Sequence, residues 1–306
     1  MSVVRPPAAW SGYAYAGAAA LLFATKGIFI KLAYAQGVDT ATLLALRMAI
    51  ALPFFLIVGI WVYRRRSAPG RPGGRLFLAA AFTGMLGYWW SSWLDFEGLH
   101  YLTAQFERLI LFTYPFFTFL FASLLLRRPV HRHAVVGALI AYVGLALVAL
   151  ATPSTQGDGL WFGIALVLAA AISFGLYQVL AREQIVRIGS DLYTAIAMTA
   201  AALAIFVQFA VSGHGIADFS GLSDRALLIG VALAIFGTVL PAFTMAVGLA
   251  RIGAQGTAVI GAVSPAFTIL LAVSLLGESF SLLDACGALL VIAGVGYYTL
   301  IDIRRT

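Results

Sequence analysis

The sequence predicts an all-α integral membrane protein with ten transmembrane helices, arranged as two inverted five-helix repeats. Three observations predict this fold class. The composition is 62% hydrophobic and 10% charged, with a mean hydropathy of +0.99, whereas charged residues make up about a quarter of a soluble domain. Apolar runs long enough to cross about 30 Å of hydrocarbon recur along all 306 residues. The second half of the chain also repeats the first.

The apolar runs define ten predicted spans. Each run is continuous rather than alternating, which favours helices over the strands of a barrel. The spans cover approximately residues 13–35, 40–63, 76–97, 102–126, 134–152, 160–181, 190–211, 225–248, 254–276 and 283–303. The loops between them are short, so no separate soluble domain is expected.

The arginines predict how these spans are oriented. Cytoplasmic loops collect Lys and Arg, so the loops with arginines at 64–66 and 127–128 are placed in the cytoplasm, and both termini with them. The opposite loops are acidic and include Asp39, Asp95 and Glu278. The predicted location is the cell inner (plasma) membrane. The net charge of +7 then orients the chain against anionic headgroups and does not indicate nucleic-acid binding.

A shift of 150 positions aligns the two halves of the chain. Pro115 aligns with Pro265, and Gly137 aligns with Gly287. About 17 of the 53 positions from 98 to 150 are identical to their counterparts, where roughly 5 would be expected by chance at this composition. The two halves are therefore related.

The predicted repeats are residues 1–152 and 153–306. Each holds five spans, an odd number, so the second copy must enter the membrane inverted relative to the first. Inverted repeats are typical of secondary transporters, in which the substrate lies near the bilayer midplane between the copies.

Three features of the second half carry a resemblance to a known family. They are Pro265, the Leu-Gly-Glu that ends at Glu278, and the Gly-Ala-Leu that begins at Gly287. With the matched Pro115 and ten spans in about 300 residues, they make nearly the whole chain resemble the EamA branch of the drug/metabolite transporter superfamily. In the first half, the Leu-Arg-Arg that ends at Arg128 stands where the family pattern has Leu-Gly-Glu.

The resemblance implies a function and a cavity. Members of the family move amino acids, sugars, drugs and other metabolites, most often outward, and the aromatic amino acid exporters are the members expected to be nearest. Spans one, three, four, six, eight and nine are implied to surround the cavity, with spans five and ten outside. The expected substrates are amino acids, aromatic ones first.

Five ionisable residues fall within the spans of the first repeat: Lys26, Lys31, Arg47, Glu107 and Arg108. Each costs roughly 2.5–3.5 kcal/mol near the centre of a lipid-facing helix, so they should face inward and find partners. We expect Arg47, Glu107 and Arg108 to form a structural ion-pair group in which Glu107 pairs with Arg47 or Lys26. The surplus of bases leaves a cation available for an anionic group.

Aromatic and hydroxyl side chains on the same spans complete the candidate site, because rings can stack on an apolar solute and hydroxyls can orient it. Trp and Tyr also anchor membrane interfaces, which is the alternative role for several of them. The candidate substrate-binding residues are Phe23, Lys26, Tyr88, Trp89, Tyr114, Ser173, Phe174, Tyr177, Thr238, Thr257 and Ser264. Pro115, Pro241 and Pro265 are expected to break their helices and free carbonyl groups beside the cavity.

The sequence lacks the features of an enzyme or of an ATP-driven pump. The four histidines, His100, His131, His133 and His214, lie in loops or at span ends, and no GxxxxGK[ST] phosphate loop occurs. No cofactor and no metal are therefore expected. A channel, or an uptake carrier for a sugar or another small metabolite, is the alternative. The expected partners are a small-molecule substrate and the lipid bilayer, with the chain a monomer or weak homodimer.

Overall fold

A computed structural model describes residues 9–66, 72–126, 132–151, 159–261 and 263–303. Its elements are α1 (Ala9–Tyr34), α2 (Thr40–Arg65), α3 (Gly74–Gly84), α4 (Ser91–Gly98), α5 (Ala104–Leu111), α6 (Tyr114–Leu126), α7 (Arg132–Ala151), α8 (Leu160–Ile188), α9 (Ser190–Val211), α10 (Ile216–Ser220), α11 (Asp224–Ala234), α12 (Leu240–Gly261), α13 (Val263–Leu271) and α14 (Leu282–Ile303), with π-helical segments at Met85–Trp90, Ile235–Val239 and Ala272–Leu276. The predicted all-helical membrane protein is confirmed. The predicted boundary at 152–153 and the basic residues 127–131 lie outside the described residues.

Each predicted span coincides with a helical stretch in the described part of the chain. Six of these stretches are long and apolar enough to cross a bilayer, and shorter apolar helices occupy 135–150, 263–276 and 282–297. That all ten stretches cross the membrane, and that the halves are inverted, stay predictions.

Side-chain caps and left-handed glycines separate the helices. The Asp39 side chain accepts a hydrogen bond from the Thr42 amide at 3.0 Å and so begins α2, as expected of an N-cap residue. Gly189, with φ of 80°, turns the chain from α8 to α9 in a single residue. Such a φ value suits glycine because no Cβ clashes with the backbone.

One of the π-helical segments recurs at the 150-residue shift. The first π segment begins at Met85 and the second at Ile235. A π segment inserts a residue into the helical turn and rotates the faces that follow it. A break at Phe112 and Thr113 precedes Pro115. Pro241 follows the second π segment, near the start of α12.

Two pairs of corresponding helices pack against each other and run antiparallel. A Cβ placed on Gly144 of α7 would lie 2.5 Å from the Gly287 carbonyl oxygen of α14, and one on Gly294 would lie 2.5 Å from the Gly137 carbonyl oxygen. The earlier glycine of each helix thus contacts the later glycine of the other, so the two helices run antiparallel.

The pair α2 and α9 shows the same antiparallel arrangement. Gly59 meets Ala195, and the Arg66 guanidinium donates to the Ile188 carbonyl. Around these pairs, α1 packs on α12 and α13, while α8 packs on α3, α4 and α6.

Replacing Gly144 with alanine is expected to destabilise the protein, because the added methyl group would meet α14 backbone at 2.5 Å and overpacking costs roughly 1–3 kcal/mol. The measurement is the melting temperature in detergent. Gly296→Ala is the control, since a Cβ there has no neighbour within 4 Å and alanine favours the helix. Equal melting temperatures for the two variants would contradict close packing at Gly144.

Candidate functional site

A cavity lies between helices of both halves. Along α1 its lining runs from Ala16 to Lys26, ten residues or roughly 15 Å at the helical rise. Its lining residues are Ala16, Ala20, Phe23, Lys26, Arg47, Gly87, Tyr88, Ser91, Ser92, Asp95, Arg108, Leu111, Phe112, Tyr114, Phe174, Gly237, Thr238, Met245, Thr257, Gly261 and Ser264. Charged side chains collect at one end of it, and aromatic and small side chains form the rest.

A buried ion pair anchors the charged end. Lys26 Nζ lies 2.6 Å from Asp95 Oδ2, and the two side chains are 11% and 1% exposed. The ring of Phe96 lies beside this pair, 5.4 Å from Lys26 Nζ and 4.8 Å from Arg47 Cζ. Cations at these distances from a ring face are attracted to it. This packing holds Lys26 and Arg47 at the charged end of the cavity.

Several polar atoms at this end have no hydrogen-bond partner among the described residues. They include Nε and Nη2 of Arg47 and Nε of Arg108. Arg108 is nevertheless fixed in place, because its Nη2 donates to the Phe23 carbonyl at 2.5 Å. Buried polar groups are normally paired. These nitrogen atoms therefore provide donors for a polar ligand.

The predicted partner of Glu107 is not the observed one. Lys26 pairs with Asp95 instead, Arg47 stacks on Phe96, and no ion pair within 4.0 Å joins Glu107 to either base in the described part of the chain. Glu107 is fully buried behind the cavity and meets α1 at Gly27, where a Cβ would lie 3.2 Å from its Oε2. Asp95, rather than Glu107, is therefore the acidic partner of Lys26.

Aromatic rings form the wall of the less polar part. Tyr114 and Phe174 meet edge to face with their centroids 5.1 Å apart, and Phe112 meets Tyr114 at 6.4 Å. Phe23 and Tyr88 also line this part. Edge-to-face packing fixes the rings and leaves their faces available for contact with an apolar group.

Most of the predicted substrate-binding residues lie on the cavity wall: Phe23, Lys26, Tyr88, Tyr114, Phe174, Thr238, Thr257 and Ser264, together with Arg47 and Arg108. Trp89, Ser173 and Tyr177 do not. The Trp89 indole donates to Gln208 Oε1 at 2.6 Å, and the Ser173 hydroxyl donates to the Leu86 carbonyl at 3.0 Å. Tyr177 is 1% exposed and donates to the Tyr88 hydroxyl at 2.9 Å, so it positions a lining residue from behind.

Sequence reasoning missed Asp95, Phe112 and Met245, which all line the cavity. Asp95 was grouped with the loop acids because Glu97 and Gly98 follow it at the end of a span. A signal for Asp95 was present, since a lysine inside an apolar span requires an acidic partner.

A layer of polar and aromatic contacts covers the charged end of the cavity. Tyr34 and His100 stack with their centroids 3.8 Å apart, and Thr40 Oγ1 lies 2.9 Å from His100 Nε2. The Tyr34 hydroxyl donates to the Phe96 carbonyl at 2.8 Å. Burial lowers the pKa of His100, so its ring is neutral at physiological pH. This layer separates the ion pair from the loops at 35–39 and 99–103.

The Glu278 of the Leu-Gly-Glu motif caps a helix of the other half. Its Oε1 accepts from the Ala104 amide at 2.7 Å and its Oε2 from the Gln105 amide at 3.3 Å, at the start of α5. Burial raises the pKa of Glu278, while the two amides and Lys31 act in the opposite direction. A carboxylate at a helix N-terminus is favourable. Gly277, with φ of 67°, provides the turn that brings it there.

Long apolar helices, related halves and a cavity with one charged end define a class: membrane proteins built from two related halves around a cavity. A family model described as the EamA-like transporter family matches residues 10–150 and again 161–300. The chain therefore belongs to the EamA-like transporter family. With six helices long and apolar enough to cross a bilayer among the described residues, it is a multi-pass membrane protein of that family.

One curated protein and one solved structure are also similar to this chain. The chain is 29% identical over 185 residues to the uncharacterized transporter YcbK of Bacillus subtilis (strain 168), a match that spans 60% of this chain and 59% of that protein. A solved crystal structure with 19% sequence identity superposes with a TM-score of 0.70 and covers 97% of this chain and 99% of its own. At this identity the likeness to the solved structure shows the fold alone.

Proposed function

We propose that the protein is a secondary transporter that exports amino acids, aromatic ones first, or similar small amphipathic metabolites. The observation that carries this proposal is the division of the cavity into a charged end and an aromatic part. A molecule that fills both must be charged at one end and apolar at the other. An aromatic amino acid has this distribution.

The charged end complements both groups of a zwitterion. The unpaired donors of Arg47 and Arg108 suit a carboxylate, since hydrogen bonds between guanidinium and carboxylate groups are among the stronger ones in proteins. The carboxylate of Asp95, which lines the cavity, suits an ammonium group. The rings of Tyr114 and Phe174 then face the side chain.

Alternating access is proposed from the symmetry of the packing. Corresponding helices of the two halves, α2 with α9 and α7 with α14, meet antiparallel, and one π segment recurs at the 150-residue shift. These features support two inverted five-helix repeats that rock around the cavity between them. The site is formed by one chain, which supports a monomer or weak homodimer as the transport unit.

The proposed location is the cell inner membrane with both termini in the cytoplasm, because ten spans would put the arginine-rich loops on one side. With this orientation, the layer of Tyr34, Thr40 and His100 faces outward. The cavity lining continues from that layer toward the beginning of α1. Substrate would therefore enter this state from the cytoplasmic side.

A ligand series tests the substrate class. Phenylalanine is expected to raise the melting temperature of the purified protein more than phenethylamine, which lacks the carboxylate, or 3-phenylpropionate, which lacks the ammonium group, because ligands stabilise the state that they bind. Tryptophan should act like phenylalanine. Stabilisation by none of the four, or equal stabilisation by all, would remove the proposed substrate.

A matched pair of variants locates the aromatic contact. Phe174→Ala removes a ring from the cavity wall, whereas Phe162→Ala removes an exposed ring from the same helix, α8. The first variant should weaken the effect of phenylalanine and the second should preserve it. The opposite pattern would place the substrate outside this cavity.

A further inference from the structure

Two buried carboxyl groups meet beside the cavity. Asp95 of α4 is 1% exposed and Glu107 of α5 is 0% exposed, and their carboxyl groups lie within hydrogen-bonding contact of each other. Lys26 holds Oδ2 of Asp95 at 2.6 Å. Neither oxygen of Glu107 has a protein donor among the described residues. The carboxyl group of Glu107 thus faces another acid.

Two ionised carboxylates cannot hydrogen-bond, because both are acceptors only. Placed together in a buried site they also repel, and a pair of this kind holds one proton between its members. Lys26 stabilises the ionised form of Asp95, so the shared proton is bound to Glu107. The protonated carboxyl group of Glu107 then donates a hydrogen bond to the carboxylate of Asp95. This arrangement satisfies both carboxyl groups without another protein donor.

The basic groups nearest the pair lie on α1, α2 and α5, three of the helices in this part of the bundle. Lys26 and Lys31 lie on α1, Arg47 lies on α2 and Arg108 lies on α5. Glu278 lies further away, at the start of α5. Counting Lys26, Arg47, Arg108 and Asp95, the inner cluster carries +3 − 1 = +2 when Glu107 is protonated and +1 when it is ionised.

We propose that Asp95 and Glu107 form a proton-binding site that holds one exchangeable proton at the charged end of the cavity. Asp95 lines the cavity, which gives the proton a path to water. The two acids belong to different helices, so a movement of α4 against α5 opens the hydrogen bond and releases the proton. Only the link to a transport cycle rests on the proposed function; the site itself is independent of the substrate.

Infrared spectroscopy of the purified protein without substrate tests the site. At neutral pH the wild type is expected to show a carboxylic-acid C=O band that shifts in deuterium oxide. Glu107→Gln should abolish this band, and Asp95→Asn should shift it because its hydrogen-bond partner changes. Glu278→Gln, which removes a partly buried acid, should leave it in place.

The wild-type spectrum decides the question even when Glu107→Gln fails to fold. The site is supported if the carboxylic-acid band disappears in a single one-proton titration as the pH is raised from 5 to 10. Absence of the band at neutral pH overturns it. A band that persists in Glu107→Gln and disappears in Glu278→Gln also overturns it. Failure of phenylalanine transport would remove the proposed function and leave this spectroscopic result standing.

Discussion

Replacing Arg47 with methionine is expected to reduce the affinity for phenylalanine by about ten-fold or more while preserving the melting temperature. Arg47 is 3% exposed and lines the cavity, and its Nε and Nη2 have no partner among the described residues. Hydrogen bonds to charged groups contribute about 1.5–3 kcal/mol, and each 1.4 kcal/mol is ten-fold in affinity. The measurement is the phenylalanine concentration that gives half of the maximal thermal stabilisation.

The melting temperature separates a binding role for Arg47 from a structural one. Methionine keeps the volume of the side chain and removes a buried charge without an ion-pair partner, so the fold should not lose stability. Arg65→Met is the control on the same helix, because Arg65 is exposed and stacks on Trp61. A large loss of stability in Arg47→Met with unchanged affinity would assign Arg47 to the scaffold.

Replacing Lys26 with methionine is expected to cause the largest loss of stability among these substitutions. The change leaves Asp95 buried without its cation, and removal of one partner of a buried pair costs about 3–5 kcal/mol. The double variant Lys26→Met/Asp95→Asn should recover most of the lost stability, because no unpaired charge remains. The measurement is the melting temperature of all three variants in detergent.

An exposed ion pair provides the control for the Lys26 variant. Arg187 and Glu183 pair at 2.5 Å with side chains 61% and 70% exposed, and such pairs contribute about 0–1 kcal/mol. Arg187→Met should therefore melt close to the wild type. A Lys26→Met protein as stable as Arg187→Met would show that the Lys26–Asp95 pair does not support the fold.

The helices could be predicted from the sequence because apolar length is a local property of the chain, and the relation between the halves could be read from the 150-residue repeat. The direction of each side chain was less predictable. Trp89 lies within the π segment Met85–Trp90, where an extra residue per turn rotates the helix faces. A regular helical period cannot place it, and its ring turns to Gln208 of α9.

The choice of ion-pair partners also depended on tertiary structure. Lys26 and Asp95 are far apart in sequence, and the acid lies near the end of its helical stretch, where a solvent-exposed loop residue was equally consistent with the sequence. Glu107 was correctly expected to be inside the protein. Its contact with Asp95 follows from the packing of α4 and α5, which no spacing in either segment encodes.

Counterflow in proteoliposomes tests the central claim, that this cavity carries amino acids by alternating access. Vesicles loaded with unlabelled phenylalanine should accumulate labelled phenylalanine transiently and with saturable dependence on its concentration, and Arg47→Met should lose this uptake while Arg65→Met retains it. Flux that rises linearly with concentration and is not accelerated by internal phenylalanine would indicate a pore and contradict the account.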